Sequence, residues 1–283
     1  MSNFAVVIIS PPGYRHSATF RDLAENVNQG LKNLGHDSVI RHAPTKGRQN
    51  IVFGSNLLPT YPIEIEPTSI LYNLEHIDKE TEWVVPKFLE RHKQHKTWDF
   101  CQWNVQKFAN LGVTVRGVLP MAYVETATKF QMLDKKDYDV VFVGGMTPRR
   151  ANIIQKMRMA GLSVDWVWQI YGRERDARIM RAKLALNVHA VPGDKILEIV
   201  RLSHLFANKV PVLSERGTNW NEYHDTYGSA AEWVDYEQLV EQAVFLCEDQ
   251  DRLNELGQAG FEVMSKIRIE PYLKELLEKE GLQ

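Results

Sequence analysis

Short apolar runs that end in glycine, proline or polar residues recur along the first 125 residues of the chain. The first run is FAVVIIS, residues 4–10, and Pro11-Pro12-Gly13 follow it directly. Runs of this length, bounded by turn residues, are typical of strands buried on both faces of a parallel sheet. Further strands are predicted at SVIRHA (38–43), NIVFGSN (50–56), SILYNLE (69–75), TWDFCQW (97–103) and GVTVRGVLPMAY (112–123).

Helical spacing occurs between several of these runs. Residues 19–34 carry apolar side chains three or four positions apart, and Gly35 is a suitable C-terminal stop. Residues 83–96 and 105–112 are also predicted to be helical. Strands that alternate with helices indicate an α/β domain with a parallel sheet.

The second half of the chain repeats this alternation from Asp139 to Glu215. Apolar strands are predicted in VVFVGGMTPRR (140–150), VDWVWQIYG (164–172), LALNVHA (184–190) and VPVLSE (210–215), with helices between them. Glycine, cationic or polar residues follow these strands, as a phosphorylated ligand at the carboxyl end of a parallel sheet requires. After Glu215 we predict a loop at Gly-Thr-Asn-Trp-Asn, helices near 229–249 and 250–265, and a charged helix from Glu270 to Glu280.

A charged segment, KFQMLDKKDYD (129–139), separates the two halves. We therefore predict two Rossmann-like, doubly wound α/β domains facing each other across a cleft. Their predicted extents are residues 1–128 and 138–265, and residues 266–283 form a C-terminal helix.

Composition narrows the class of protein without identifying it. No apolar run approaches the ~18–20 residues of a membrane span, and the first residues lack the features of a signal peptide. Cys101 and Cys247 are far apart and in no metal-like spacing, so we expect a cytoplasmic protein without a metal site. With 34 Lys and Arg against 36 Asp and Glu, charge neither favours nor excludes a nucleic-acid substrate.

Two turns carry the candidate chemistry of the second half. In the first, Gly144 and Gly145 let the backbone approach a ligand, and Arg149 and Arg150 begin the next helix, where phosphate is favoured. The alternative is a glycine turn with two solvated arginines.

In the second turn, Gly193 allows close approach, and Asp194 is a good N-cap beside Lys195. Glu198 and Arg201 are expected on the same helix face as Asp194, where a carboxylate could bind a ribose diol. The alternative is an intrahelical Glu198–Arg201 ion pair, which contributes a few tenths of a kcal/mol. Tyr171 and His189 lie at the ends of two further predicted strands, and with Gly13, in the turn after the first strand of the chain, they complete the predicted donor-binding set.

The order of these motifs resembles the C-terminal domain of GT-B-fold glycosyltransferases, of the bacterial glycosyltransferase group 1 and spore-maturation-protein-like type. The resemblance implies metal-independent transfer of a sugar from a nucleotide-diphosphate sugar, with a UDP-sugar as the expected donor and no separate cofactor. It implies that Arg149 contacts the donor diphosphate and Glu198 the ribose, and that residues 266–283 return to the first domain. Gly145 and Ala190 depart from the family pattern, which has an arginine and a glutamate there.

The same resemblance suggests a catalytic base in the first half. His16, in the PPGYRHS turn with Gly13, lies where inverting enzymes of this fold keep a histidine base, and Glu75 is the competing carboxylate. The acceptor is left open between a glycan, a small molecule and hydroxymethylated DNA, as in phage-type enzymes. An epimerase and a non-catalytic nucleotide-sugar-binding protein remain alternatives, and the oligomeric state is not predicted.

Overall fold

The computed structural model describes residues 2–77, 84–193, 197–218 and 220–282. Strands and helices alternate along the first part of the chain. They are β1 (Asn3–Ile8), α1 (Arg21–Asn33), β2 (Asp37–Arg41), β3 (Gln49–Phe53), β4 (Ile70–Asn73), α2 (Pro86–Gln94), β5 (Lys96–Asp99), α3 (Gln102–Asn110) and β6 (Val115–Val118).

The alternation continues in the second part. Its elements are β7 (Tyr138–Val143), α4 (Pro148–Met159), β8 (Val164–Val167), α5 (Gly172–Ile179), β9 (Ala182–Asn187), α6 (Ile199–Ala207), β10 (Val212–Glu215), α7 (Trp220–Tyr227), β11 (Glu232–Val234), α8 (Leu239–Glu248), α9 (Gln250–Lys266) and α10 (Ile269–Lys279).

The chain divides into two compact units. Unit 1 contains Met1–Thr126 together with Arg268–Gln283, and unit 2 contains Ala127–Ile267. The division falls just before the charged segment 129–139, and α10 belongs to unit 1 although it is last in sequence.

Each unit is built on one parallel sheet. The strand order is β2-β1-β3-β4-β5-β6 in unit 1 and β11-β10-β9-β7-β8 in unit 2. Every named strand pair is parallel, and the central strands are almost wholly buried. This confirms the predicted class of two Rossmann-like α/β domains, because helices must cover both faces of such sheets.

The sheet orders define a switch point in each unit. In unit 1 the chain passes from β1 to β2 on one side and then returns to β3 on the other side of β1. In unit 2, β8 and β9 flank β7 in the same way. Open α/β sheets bind ligands outside the carboxyl ends of the two strands where this reversal occurs. The relevant strand ends are therefore those of β1 and β3, and those of β7 and β9.

Three local predictions differ from the structure. The helix predicted to carry both Glu198 and Arg201 begins at Ile199, so Glu198 is its N-cap residue and not a position inside the helix. Trp220 and Asn221, predicted to lie in a loop, are the first residues of α7, and the helix predicted near 229–249 begins only at Leu239. Residues 232–234 instead form β11, which pairs with β10. Sheet pairing overrides local helical preference in so short a segment.

The return of the chain into unit 1 depends on close helix packing. A Cβ added to Gly30 of α1 would lie 2.6 Å from Ile269 Cγ2 and 2.7 Å from Leu273 Cδ1 of α10. Arg268 precedes α10 and pairs with Glu125 at 2.5 Å and Glu270 at 3.0 Å. Hydrogen bonding to those two carboxylates raises the pKa of Arg268. In the described part of the chain, no helix has both the length and the apolar character needed to cross a bilayer.

We expect Gly30→Val to lower the free energy of unfolding by about 1–3 kcal/mol, because the added side chain overlaps α10. Urea denaturation measures this loss. Lys32→Ala, at an exposed position on the same helix, is the control and should stay within about 0.5 kcal/mol of the wild type. A Gly30→Val variant as stable as the control would contradict the close packing of α1 and α10.

Candidate functional site at the strand ends of unit 2

The switch point of unit 2 lies between two short turns that differ in chemistry. Gly144 and Gly145 follow β7, while β9 ends at Asn187 and leads to His189. α4 begins beside the glycine turn, where the Thr147 hydroxyl accepts a hydrogen bond from the Arg150 backbone amide and Pro148 occupies the first helical position. Pro148 has no amide hydrogen to leave unpaired, and the side-chain cap satisfies another donor, so the sequence starts the helix here.

Arg149 is not a solvated side chain. Its guanidinium forms a two-pronged pair with Glu215, with Nη1 2.6 Å from Oε2 and Nη2 bonded to Oε1. It also lies 3.7 Å from the centre of the Tyr236 ring. Only 15% of the Arg149 side chain and 8% of the Glu215 side chain are exposed. Arg149 is thus neutralised within unit 2, and its predicted contact with a diphosphate stays a prediction.

Arg150 joins the two sides of the switch point. Its Nη1 donates to the Gly145 carbonyl at 2.9 Å, and its Nε donates to the Val188 carbonyl at 3.0 Å. Its Nη2 donates to Glu198 Oε1 at 3.2 Å. The residue is buried, so Arg150, like Arg149, does not fit the alternative of a solvated arginine. Its predicted role toward a ligand is untested.

Glu198 lies at the centre of this network. Its Oε2 is 2.9 Å from His189 Nδ1 and accepts a hydrogen bond from Asn187 Nδ2 at 3.0 Å. Burial alone would raise the pKa of Glu198, but the hydrogen bond from His189 and the charges of Arg201, His189 and Arg150 lower it to about 2. The carboxylate therefore stays ionised in a nearly enclosed position.

Arg201 is the least engaged of the three arginines. Its Nη1 donates to Asn187 Oδ1 at 2.6 Å and lies 3.8 Å from Glu198 Oε1, so the simple intrahelical pair is a minor part of its surroundings. Its Nη2 occupies the space beside Gly144, 3.1 Å from where a Cβ would be. Among the described residues Nη2 has no hydrogen-bond partner, and 22% of the side chain is exposed. A cation with an available donor therefore lies against the glycine turn.

The remaining residues of the predicted donor-binding set either lie apart from the Glu198 network or fall outside the described residues. Tyr171 is the half-buried N-cap residue of α5, one strand from the switch point. Gly193 has φ of 75° in an exposed turn, and its carbonyl accepts from Thr218 Oγ1 at 3.4 Å. Asp194 and Lys195 lie outside the described residues.

The predicted base candidates of unit 1 lie at the ends of different strands. Gly13 has φ of 76° in a turn closed by the Tyr14 amide on the Pro11 carbonyl at 3.0 Å, which explains glycine there. This turn places half-buried His16 after β1, at the unit 1 switch point, with its ring 5.4 Å from that of Tyr14. Glu75 follows β4, two strands away in the sheet. At ~4.8 Å per strand the structure does not bring the two together.

A buried carboxyl group positions the Glu75 turn. Asp99, at the end of β5, accepts from Asn73 Nδ2 at 2.8 Å, Asn104 Nδ2 at 3.1 Å and the Cys101 amide at 2.9 Å. Burial raises the pKa of Asp99 to about 7, although these hydrogen bonds act in the opposite direction. Asn73 and Asn104 also donate to the Glu75 carbonyl, each at 2.8 Å. Asp99 is fully enclosed, so it supports the turn and does not face a ligand.

Two residues of the unit 2 cluster are not among those predicted from the sequence. Asn187 holds both Glu198 and Arg201, and Glu215 holds Arg149 and accepts from the His189 amide at 3.0 Å. Both residues end an apolar strand, which was the available signal. The described ranges contain no group of three or more His, Cys, Asp or Glu side chains placed to bind a metal ion.

Comparison with known sequences finds relatives of limited extent. No protein-family model matches the chain. Uncharacterized protein L140 of Acanthamoeba polyphaga mimivirus is 25% identical over 185 residues, covering 63% of this chain and 59% of L140. Uncharacterized protein L138 of the same virus is 36% identical over 81 residues, covering 28% of this chain and 9% of L138. The chain thus spans less than two thirds of either relative.

Comparison with solved structures places the fold in the GT-B class. TarM of S. aureus, solved in complex with UDP, gives a TM-score of 0.58 at 10% identity over 94% of this chain and 59% of TarM. The T4 phage beta-glucosyltransferase gives 0.51 at 11% identity over 99% of this chain and 98% of the phage enzyme. A protein of Listeria monocytogenes assigned as a UDP-N-acetylglucosamine 2-epimerase gives 0.50 at 9% identity over 99% of this chain and 97% of its own. At these identities the likeness shows the fold alone.

The ionised state of Glu198 predicts a pH dependence of stability. Its pKa is about 2 in the folded chain against 4.5 for an unperturbed glutamate. The carboxylate therefore stabilises the fold above about pH 4.5, and this contribution disappears as the pH falls toward about 2. We expect Glu198→Gln to lower the free energy of unfolding by about 3–5 kcal/mol near neutral pH, because it removes the charge between buried cations.

Urea denaturation of both proteins across that pH range checks this expectation. The difference between wild type and variant should shrink below about pH 4.5. Glu241→Gln, at an exposed position on α8, is the control and should differ little from wild type throughout. A Glu198→Gln deficit that is unchanged near pH 2 would contradict the assigned charge state.

Proposed function

We propose that the protein is a glycosyltransferase that moves a sugar from a nucleotide-diphosphate sugar to an acceptor hydroxyl. Unit 2 binds the donor, and unit 1 supplies the acceptor side and any protein base. The fold supports the general reaction, because TarM was solved with UDP and the T4 phage protein is a glucosyltransferase. A UDP-sugar is the donor we expect, and no separate cofactor is proposed.

The observation that carries the proposal is the position of Arg201. Its guanidinium lies beside Gly144 at the β7 and β9 strand ends, where open α/β sheets bind nucleotides. Glu198 and Asn187 hold one side of the guanidinium, so its orientation is set before a ligand arrives. A preorganised cation of this kind stabilises the charge that develops on a departing diphosphate.

Each residue predicted to bind the donor has a distinct proposed role. Arg201 makes the direct contact with the diphosphate, while Arg150 and Glu198 hold the surrounding turns. A contact from Arg149 would require partial exchange of Glu215 for phosphate. Lys195 and Asp194 remain proposed neighbours of the diphosphate on the basis of their sequence position. These groups would act without a metal ion.

His16 is the proposed base if the reaction inverts the configuration of the transferred sugar. It follows β1 at the unit 1 switch point and is partly exposed. An imidazole can accept a proton from an acceptor hydroxyl near neutral pH. Glu75 is the alternative base, and a retaining reaction requires neither.

A DNA-modifying glycosyltransferase is the second candidate function. It is the phage-type alternative that the sequence leaves open, and the T4 phage beta-glucosyltransferase aligns over nearly the full length of both chains. Such an enzyme would bind duplex DNA with a strong salt dependence, whereas a glycan or small-molecule enzyme would not. A mobility-shift measurement at low and moderate salt separates the two.

For donor binding, we expect Arg201→Ala to weaken the affinity for the cognate nucleotide sugar about 10- to 150-fold. This corresponds to the loss of a charged hydrogen bond of about 1.5–3 kcal/mol. A thermal-shift screen of UDP-, GDP-, ADP-, CMP- and dTDP-sugars first identifies the donor, and calorimetry then measures binding.

Arg158→Ala is the matched control for Arg201. Arg158 is an exposed arginine of unit 2 that donates to the Val164 carbonyl at the amino end of β8, away from the proposed site. Its removal should leave donor affinity unchanged. Equal affinity of Arg201→Ala and wild type would refute the donor site. Binding without release of a nucleoside diphosphate would indicate a non-catalytic protein, and donor consumption without an acceptor would indicate an epimerase.

For catalysis, we expect His16→Ala to lose at least about 100-fold in turnover while donor affinity is retained, as for removal of a general base. Steady-state release of nucleoside diphosphate and calorimetry measure the two properties. His42→Ala, at an exposed histidine of unit 1, is the control and should retain turnover. Unchanged turnover of His16→Ala would remove it as the base and leave Glu75 to be tested in the same way.

A further inference from the structure

Two large aromatic side chains are exposed at the end of β8. Trp166 is 40% exposed and Trp168 is 42% exposed. This exposure is notable because a tryptophan side chain has a large apolar surface. They are two positions apart at the end of an edge strand, which makes them neighbours in space. An exposed apolar patch of this kind typically marks a surface that binds a ligand or a partner.

Both indoles are oriented by the glycine turn that follows β7. Trp166 Nε1 donates to the Gly144 carbonyl at 2.9 Å. The Trp168 ring lies against Gly145, 3.1 Å from where a Cβ would be, so a larger residue there would displace it. Gln169 then turns the chain with φ of 56°. The aromatic surface formed by Trp166 and Trp168 is therefore held in place before any ligand binds.

Gly144 connects this aromatic surface to the cation of the proposed donor site. Its carbonyl holds Trp166, and the space beside its Cα is occupied by Arg201 Nη2 at 3.1 Å from the Cβ position. Trp166 is also paired in register with Phe142, whose ring centre is 5.7 Å from the Arg201 guanidinium carbon. An indole surface and a guanidinium thus adjoin the same residue.

We propose that Trp166 and Trp168 form the stacking surface for the nucleobase of the donor, with its diphosphate at Arg201. This inference rests on the proposed function. A nucleoside diphosphate joins a planar base to an anionic diphosphate. At Gly144 the indole surface, which can stack on a base, adjoins the Arg201 guanidinium, which can pair with the diphosphate. A lipid phosphate would supply the charge without the planar ring.

Stacking also predicts how the site discriminates between nucleotides. Every nucleobase offers an aromatic face, so stacking on an indole contributes affinity with little dependence on the base. The two tryptophans should therefore strengthen the binding of all nucleoside diphosphates similarly. The choice among bases must come from polar groups elsewhere in the site.

The test compares ligands with and without a base in the full chain. Trp166→Ala and Trp168→Ala are each expected to weaken the binding of UDP, GDP and ADP about 5- to 150-fold, with their order of affinity preserved. Binding of inorganic diphosphate should be unchanged. Trp168→Phe keeps an aromatic face and should retain most of the affinity. Phe245→Ala removes a 58% exposed aromatic residue on α8 of the same unit and should have no effect.

Two further measurements make the result decisive. Thermal unfolding without ligand should be the same for the variants and wild type, and UDP should quench indole fluorescence in wild type but much less in the double variant.

Unchanged UDP affinity in both single variants would overturn the inference, as would an equal loss of inorganic diphosphate binding. Loss confined to UDP-glucose would assign the indoles to the sugar, and a changed oligomeric state alone would assign them to a second copy of the chain. If wild type bound no nucleotide or nucleotide sugar, the proposed function itself would fail.

Discussion

The arrangement of unit 2 depends on keeping one buried carboxylate ionised. Glu198 is nearly enclosed, and an unpaired charge in such a place is costly. Four residues from three elements offset that cost: His189, Asn187, Arg150 and Arg201. Because these residues come from the end of β9, the start of α4 and the first turn of α6, the charge joins the turns that surround the switch point.

The three arginines near the switch point have different surroundings. Arg149 is paired with Glu215 and covered by Tyr236, and Arg150 donates to two backbone carbonyls and to Glu198. Removing either would leave buried acceptors unpaired, so both are tied to the fold. Arg201 has one nitrogen bound to Asn187 and another beside Gly144, and it can meet a ligand without breaking its internal contact.

Unit 1 uses a neutralisable carboxyl group for a comparable purpose. Asp99 lies at the end of β5 with a pKa raised to about 7 by burial, and two asparagines connect it to the turn after β4. Hydrogen bonds from two side-chain amides and a backbone N–H satisfy Asp99. The turn that carries Glu75 is therefore positioned by hydrogen bonds to one buried carboxyl group, whereas the unit 2 switch point is positioned by ion pairs.

The alternation of strands and helices can be predicted from the sequence alone, and so can the strand ends at which polar residues collect. Apolar runs and helical periodicity are local properties of the chain, so β1, β7 and β9 and the glycine turn at Gly144 could be predicted. The sequence pattern does not predict β11, where sheet pairing outweighs local preference, or the start of α6 at Ile199. The enclosure of Arg149 and the availability of Arg201 follow instead from tertiary contacts. Residues distant in sequence surround the two side chains and set their charge balance: Glu215 and Tyr236 contact Arg149, and Asn187 contacts Arg201.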